Sequence, residues 1–216
     1  MLRINEVRAS IHGEQPFIGA PCVIVRLQGC NLRCPYCDTK GSIAEIGGMQ
    51  QSIFEIKEFI DQIGYRDVLI TGGEPLLQEE VHTLIDELLL HRITIETNGT
   101  VRIPINRRPN CFYVMDYKMI KLTKEQKKMT GENILELGHQ GGAVKFVFTE
   151  YFAPEEANHI RATLDLAKQF HKLIIIFSFS SAEIAQTWMP YLLEYSRNAI
   201  AEIRFQLQLH KILGVA

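Results

Sequence analysis

Hydrophobic and polar positions along this chain switch repeatedly between a two-residue and a 3.6-residue period. Residues 2–10 alternate with Val7 displaced by one, which predicts a short strand with a bulge or irregularity. A Gly/Pro-bearing loop at 10–16 leads to a second strand at 21–28, whose apolar run is broken by Arg26. Ser52-Ile53-Phe54-Glu55 has a capping-box pattern, Ile56, Phe59, Ile60 and Ile63 follow at helical spacing, and Gly64 is the stop. Residues 67–71 read as a short buried strand running into Gly72-Gly73-Glu74-Pro75; a helix at about 79–91 and a strand at 93–97 complete the unit. Further strands are expected at 112–116, 143–148, 173–179 and 201–207, and helices at about 154–171 and 181–195. Pro154 suits a first helical turn, where its missing N–H is not needed. Between 116 and 142 the pattern is weak and Lys-rich, fitting a short helix or a mobile loop.

Strands alternating with helices imply an α/β protein with a parallel sheet. Roughly six repeats are too few to close an eight-unit barrel and enough for an open, partial (β/α)6-type barrel with parallel strands. No linker divides the chain, so residues 1–216 are expected to form one domain.

At 216 residues and 46% hydrophobic, the chain can bury a substantial core. A net charge of −2, with both signs mixed along the chain, gives no basic face for a phosphate backbone, so nucleic acid is not expected as a direct substrate. No apolar run reaches the length of a membrane span, and the amino terminus lacks the apolar core of a signal peptide, so a cytoplasmic location is expected. Five Cys, an odd number with three crowded together, argue against a secreted disulfide framework. Cys22 and Cys111 lie in apolar runs and read as small core residues.

The remaining three, Cys30, Cys34 and Cys37, fall within eight residues just after the second strand. Three thiolates on one loop can hold three irons of a [4Fe–4S] cluster and leave the fourth open to a small molecule. A zinc knuckle is the alternative, with Asp38, His12 or Cys22 as fourth ligand. Active sites of parallel barrels gather at the carboxyl ends of strands. Cys30, Thr71 with Gly72-Gly73-Glu74, Glu96 with Asn98, Asp116 with Lys118, and Gln208 with His210 all follow expected strands, and they should converge on one mouth.

The C-x3-C-x2-C spacing with Tyr36 before the third Cys resembles the radical S-adenosylmethionine (SAM) superfamily. Ser10-Ile11-His12-Gly13-Glu14, the stretch 25–34, Cys37-Asp38-Thr39, Thr71-Gly72-Gly73-Glu74-Pro75-Leu76, Glu96-Thr97-Asn98-Gly99 and Leu207-Gln208-Leu209-His210-Lys211 together resemble the 7-carboxy-7-deazaguanine synthase family of queuosine and deazapurine biosynthesis. That family usually has Gln at the position of His12 and Gly at that of Gln15.

The resemblance implies that a 5′-deoxyadenosyl radical takes a hydrogen from 6-carboxy-5,6,7,8-tetrahydropterin, whose ring contracts with loss of ammonia while SAM is regenerated. No catalytic side chain is implied beyond the cluster and SAM. Cys30, Cys34 and Cys37 would hold the cluster and Thr39 a Mg²⁺ ion; Tyr36, Gly72, Gly73, Glu74, Glu96 and Asn98 would bind the cofactor. Substrate would meet His12, Glu14, Arg26, Thr71, His210 and Ala216, with Arg26 offering a planar fork to the carboxylate and Glu14 accepting from pterin N–H groups. A homodimer and a flavodoxin-type or other electron donor are further implications, with no membrane partner. The main rival, a glycyl-radical-enzyme activase, shares the Cys spacing but needs neither the pterin-binding loop nor a polar tail in the site.

Overall fold

The structure is a computed structural model that describes every residue except 15, 106, 107, 152–156, 168, 198 and 216. Nine strands, β1 (Leu2–Ile11), β2 (Pro21–Leu27), β3 (Met49–Gln51), β4 (Asp67–Gly72), β5 (Arg92–Thr97), β6 (Cys111–Asp116), β7 (Gly142–Phe148), β8 (Leu173–Phe179) and β9 (Glu202–Leu207), form one sheet. Their order is β3-β1-β2-β4-β5-β6-β7-β8-β9. From β2 through β9 every neighbouring pair is parallel. β1 is antiparallel to both β2 and β3, and its register shifts between Ile4 and Glu6, where the displaced Val7 signalled an irregularity. With β3 and β9 left as edges, the sheet is an open partial barrel.

Strict alternation along the parallel strands sorts the side chains onto two faces. Val23, Val25 and Leu27 of β2, Val68 and Ile70 of β4, Ile93 and Ile95 of β5, and Val144, Phe146 and Phe148 of β7 all join the main core outside the barrel. Residues in the other phase line the lumen. There, two small apolar clusters, Cys22 with Ile24 and Leu69, and Val114 with Ala143 and Ile176, form the wall. Two residues further along the same strands come Arg26, Thr71, Asp116, Lys145 and Ser178, and Glu96 takes the matching place on β5, so the strand ends supply a polar ring above an apolar wall.

The outer layer is α1 (Ile53–Ile63), α2 (Val81–Glu87), α3 (Lys124–Gln140), α4 (Ala157–Ala167) and α5 (Ala182–Ser196), and a short α6 (Leu209–Leu213) follows β9. Ser52 and Glu55 complete the capping box that opens α1. α2 is shorter than the expected 79–91. The expected start of α4 at Pro154 lies outside the described residues.

The Lys-rich segment after Asp116 is where the structure adds most. It holds a 17-residue helix, α3, opened by a Thr123/Gln126 capping box. Its buried face includes the polar Thr130 and Asn133, which hides the helix from a search for apolar periodicity. Asn133 explains the choice: its Nδ2 donates to Gly99 O (3.0 Å) and Val101 O (2.7 Å), and its Oδ1 accepts from Ile103 N (2.9 Å), pinning the loop after β5. Replacing Asn133 with Ala strands these buried backbone groups and should lower the unfolding free energy by about 1–3 kcal/mol. Thr123→Ala should lower it by about 1 kcal/mol. Urea denaturation of both variants checks the order; a smaller loss for Asn133→Ala would contradict the pinning role.

Candidate active site

β2 delivers the chain to a loop that begins at Gly29, and the next parallel strand holds that loop in place. Gly73 N donates to Leu27 O (3.0 Å), Glu74 N to Gly29 O (2.8 Å), and Gly29 N to Ser42 O (2.8 Å). Gly72 has φ +133°, and a Cβ there would collide with the Leu27 carbonyl oxygen; one on Gly73 would collide with Gly29 O. The Gly-Gly pair therefore answers first to the backbone of the cysteine loop, a closer constraint than the ligand approach expected from sequence.

Glu74 departs from its expected place in the cofactor site. Its side chain is wholly buried and absent from the cavity wall. Its Oε1 accepts from Leu76 N (3.0 Å) and Thr97 Oγ1 (2.8 Å), and its Oε2 accepts from Asn98 N (2.6 Å). Burial pushes the carboxyl above its ordinary range against these three donors. It acts at one remove, by fixing Asn98, whose Nδ2 donates to Asn31 Oδ1 (3.0 Å) and lies 3.8 Å from Cys30 Sγ.

One cavity of about 300 Å³ occupies the mouth of the barrel. Cys30, Cys34 and Cys37 all face it, each half-buried as a free thiol. Among the described residues no three His, Cys, Asp or Glu side chains are grouped to ligate a single metal ion. In a cubane each thiolate takes its own iron, and three thiols on one loop facing one cavity can each supply one. The donor set fits the cluster. Leu32 N donates to Cys30 Sγ (3.4 Å), so the loop already directs polar hydrogens at sulfur. Tyr36 lines the cavity, and burial pushes its phenol up to about 12.

Thr39 also faces the cavity, its Oγ1 3.7 Å from Cys37 Sγ, and its hydroxyl caps no helix. Gly72, Gly73, Thr71, Glu96 and Asn98 line the same space, as do Glu14, Arg26 and His210. Arg26 Nε donates to Glu6 Oε1 (2.7 Å), and the Arg26 side chain is part of the cavity lining. The His210 ring lies over Gly13, where a Cβ would strike it, and Leu209 N donates to Gly13 O (2.9 Å), so the tail is tied to the loop after β1. Ala216 lies outside the described residues.

His12 does not reach the cavity. It lies in the floor, 2% exposed, with Nε2 3.9 Å from Asp67 Oδ2 and its ring 5.7 Å from that of Phe17. Phe17 in turn lies under the Arg92 guanidinium, 3.7 Å from ring centroid to Cζ, and Arg92 pairs with Asp67 through both carboxylate oxygens. Glu14, two residues further on, reaches the lumen instead; in a regular strand it would share the side of His12, so the chain leaves the extended pattern once β1 ends at Ile11.

Lys145 is the functional-site residue that sequence reasoning passed over. Its Nζ is 2.6 Å from Glu14 Oε2, 3.1 Å from Asp116 Oδ1 and 3.2 Å from Glu96 Oε1. The available signal was a lone charge inside the apolar run of β7. Burial opposes ionisation of all four groups. The lysines overcome it at Glu14 and Asp116, whose carboxyls fall below the usual range; Glu96 stays above it. Lys118, which donates to Asp116 Oδ2 (2.7 Å), completes the group.

An iron–sulfur cysteine loop at the end of the first parallel strand of an open parallel sheet defines a radical SAM enzyme, and residues 24–108 match the family model described as the Radical SAM superfamily. Curated relatives extend the likeness to the whole chain. A 7-carboxy-7-deazaguanine synthase of Clostridium acetobutylicum is 30% identical over 98% of this chain and 95% of its own length. One of Methanospirillum hungatei is 34% identical over 99% of this chain and 86% of its own. The chain belongs to the 7-carboxy-7-deazaguanine synthase family. Its fold is also that of the crystal structure of QueE from Escherichia coli, with a TM-score of 0.68 at 20% identity over 95% of this chain and 93% of that one.

The buried His12 generates a pH prediction. Burial, aided by Arg92 and opposed by Asp67, lowers its pKa to about 4. Between the unfolded value near 6.5 and about 4, the unfolded chain takes up a proton that the folded one refuses. Stability is therefore fully present above about 6.5 and falls with pH through this window, by on the order of 3 kcal/mol. His12→Gln should flatten the dependence of melting temperature on pH between 7 and 4. An unchanged slope would show that His12 does not titrate in this way.

Proposed function

We propose that this protein converts 6-carboxy-5,6,7,8-tetrahydropterin to 7-carboxy-7-deazaguanine with loss of ammonia, in queuosine or 7-deazapurine biosynthesis. The observation that carries the reading is that one cavity joins the three cluster thiols to a polar lumen walled by Arg26, Thr71, Glu96 and the His210 tail. Family membership supplies the reaction, and the lumen supplies a place for a small polar ring compound beside the radical source.

When bound, the [4Fe–4S] cluster and SAM that the radical SAM family implies supply the 5′-deoxyadenosyl radical for hydrogen abstraction. Cys30, Cys34 and Cys37 would each hold one iron. Gly73 and Asn98, locked by the cysteine loop and by Glu74, present backbone and amide groups to the cofactor. Arg26 takes the substrate carboxylate with the fork nitrogens other than Nε. His210, whose pKa burial lowers, offers a neutral ring to the substrate's polar edge. The tail narrows the mouth where an activase would have to admit a protein segment, which favours a small substrate.

Magnesium, a dimeric assembly, a flavodoxin-type reductant and a cytoplasmic location complete the proposal. Among the described residues no helix is long and apolar enough to cross a membrane. Thr39 suits Mg²⁺, a hard cation that takes few protein oxygens and keeps several waters.

Anaerobic incubation of the reconstituted enzyme with reductant, SAM and the carboxytetrahydropterin, followed by mass spectrometry, should show 7-carboxy-7-deazaguanine; SAM cleavage without that product would reject the assignment. Cys30→Ala, Cys34→Ala and Cys37→Ala should each lose iron and the visible band. Cys22→Ala should retain both, since that thiol faces the lumen wall and burial, with Asp67 and Glu96, pushes it up to about 12.

Thr39→Ala should weaken the response of turnover to added magnesium without bleaching the cluster. An identical magnesium titration in the variant would remove Thr39 from the metal site.

A further inference from the structure

Two glutamates face each other across Lys145, and their hydrogen-bonding commitments differ. A carboxylate has about four acceptor positions. Glu14 is heavily engaged: Oε2 accepts from Lys145 Nζ (2.6 Å), and Oε1 is approached by three donors, Ser178 Oγ, Gln206 Nε2 (3.4 Å) and Gln208 Nε2 (3.5 Å). Its side chain is 8% exposed. Glu96 is loosely engaged, accepting from Lys145 Nζ at 3.2 Å and from Thr71 Oγ1 at 3.4 Å. It is also the most exposed of the three carboxylates around Lys145, at 22%.

Position adds a second, independent observation. Arg26 is the register partner of Thr71, and Glu96 follows the Ile70–Ile95 pairing by one step, so Arg26, Thr71 and Glu96 form a row across β2, β4 and β5. All three face the cavity. A cation stands at one end of the row and an acceptor with open lone pairs at the other, separated by two inter-strand steps, roughly 10 Å. A fused bicyclic ring with a carboxylate at one end and an amino-pyrimidinone at the other has this length and this polarity.

We propose that Glu96 is the residue that reads the donor edge of the substrate, while Glu14 serves as a positioning residue that ties the loop after β1 to β7, β8 and the tail. This rests on the pterin reading above and moves Glu96 from the SAM site, where the family resemblance put it, to the substrate site. Lys145 keeps Glu96 in place without saturating it. The donor edge of the ring presents an amino group and a ring N–H side by side, matched by two oxygens on one carboxylate.

The test is equilibrium binding of the carboxytetrahydropterin and, separately, of SAM to cluster-reconstituted wild type, Glu96→Gln and Glu14→Gln, together with melting temperatures and the substrate KM. Glu96→Gln replaces one acceptor oxygen with a donor against the ring's own donors. It should weaken pterin binding and raise its KM at least 10-fold, leave SAM binding within 2-fold, and barely change the melting temperature. Glu14→Gln should instead lower the melting temperature, as it sets an amide NH2 in place of one acceptor oxygen, against either the Lys145 ammonium or the Ser178, Gln206 and Gln208 donors. Glu96→Asp keeps the charge beside Lys145 and withdraws it from the lumen; it should show the same selective loss and stands in if the amide variant does not fold. Weakened SAM binding with unchanged pterin binding in the Glu96 variants would overturn the assignment, and so would wild-type binding of both ligands. A wild type that binds SAM but no pterin would overturn the functional reading and this inference together, whereas pterin binding in wild type that persists in Glu96→Gln overturns this inference alone.

Discussion

An ammonium in the middle of a barrel is stable only if the barrel brings counter-charge to it, and Lys145 imposes that requirement here. Meeting it draws Glu96 from β5, Asp116 from β6 and Glu14 from the loop after β1 to one point. Glu14 cannot get there unless its loop folds into the lumen instead of lying on the surface. Once inside, the loop closes the floor with His12 and Phe17 and gives the tail something to bind, through Gly13 O and the Glu14 carboxylate. Floor, polar wall and tail are thus consequences of a single buried charge.

A second buried charge organises the other half of the site by different means. Among the described residues Glu74 forms no ion pair; two backbone N–H groups and the Thr97 hydroxyl satisfy it, and they hold the ends of β4 and β5 at a fixed separation. The glycines before it let β4 close against the cysteine loop, so that loop is stitched down by backbone hydrogen bonds before any metal is considered. Preorganisation of this kind suits a loop whose sulfurs must meet three corners of one rigid cube.

Much of this was legible in the residues. The period-two strands, the Ser52 capping box and the Cys triplet each have a local signature, and strand-end logic brought five separate segments to one mouth. What escaped notice has a physical reason. α3 buries Thr130 and Asn133 to pin a loop, so its apolar stripe is thin. β3 is only three residues long. Lys145 reads as a lone interruption of a strand until its three partners, 29 to 131 positions away in the chain, are placed in space. The direction of His12 depends on which way one residue of an extended loop turns, and only its contact with Asp67 and Phe17 settles that.

The incompleteness of the barrel has an effect on how copies of the molecule meet each other. β1 is ten residues long, yet β3 covers its outer side only from Leu2 to Ile4, and among the described residues β9 has no neighbouring strand beyond it. Bare strand edges recruit strands from other chains. Along β1 the uncovered stretch carries Asn5, Glu6 and Arg8, the tail crosses its end where Ser10 Oγ donates to Val215 O (3.2 Å), and β9 carries Glu202 with Arg204 at 2.6 Å. An incoming strand would have to strip water from those charges and displace the tail before it could pair. Side chains that look like ordinary surface polarity are therefore what stops an unclosed sheet from continuing, strand after strand, into its neighbour.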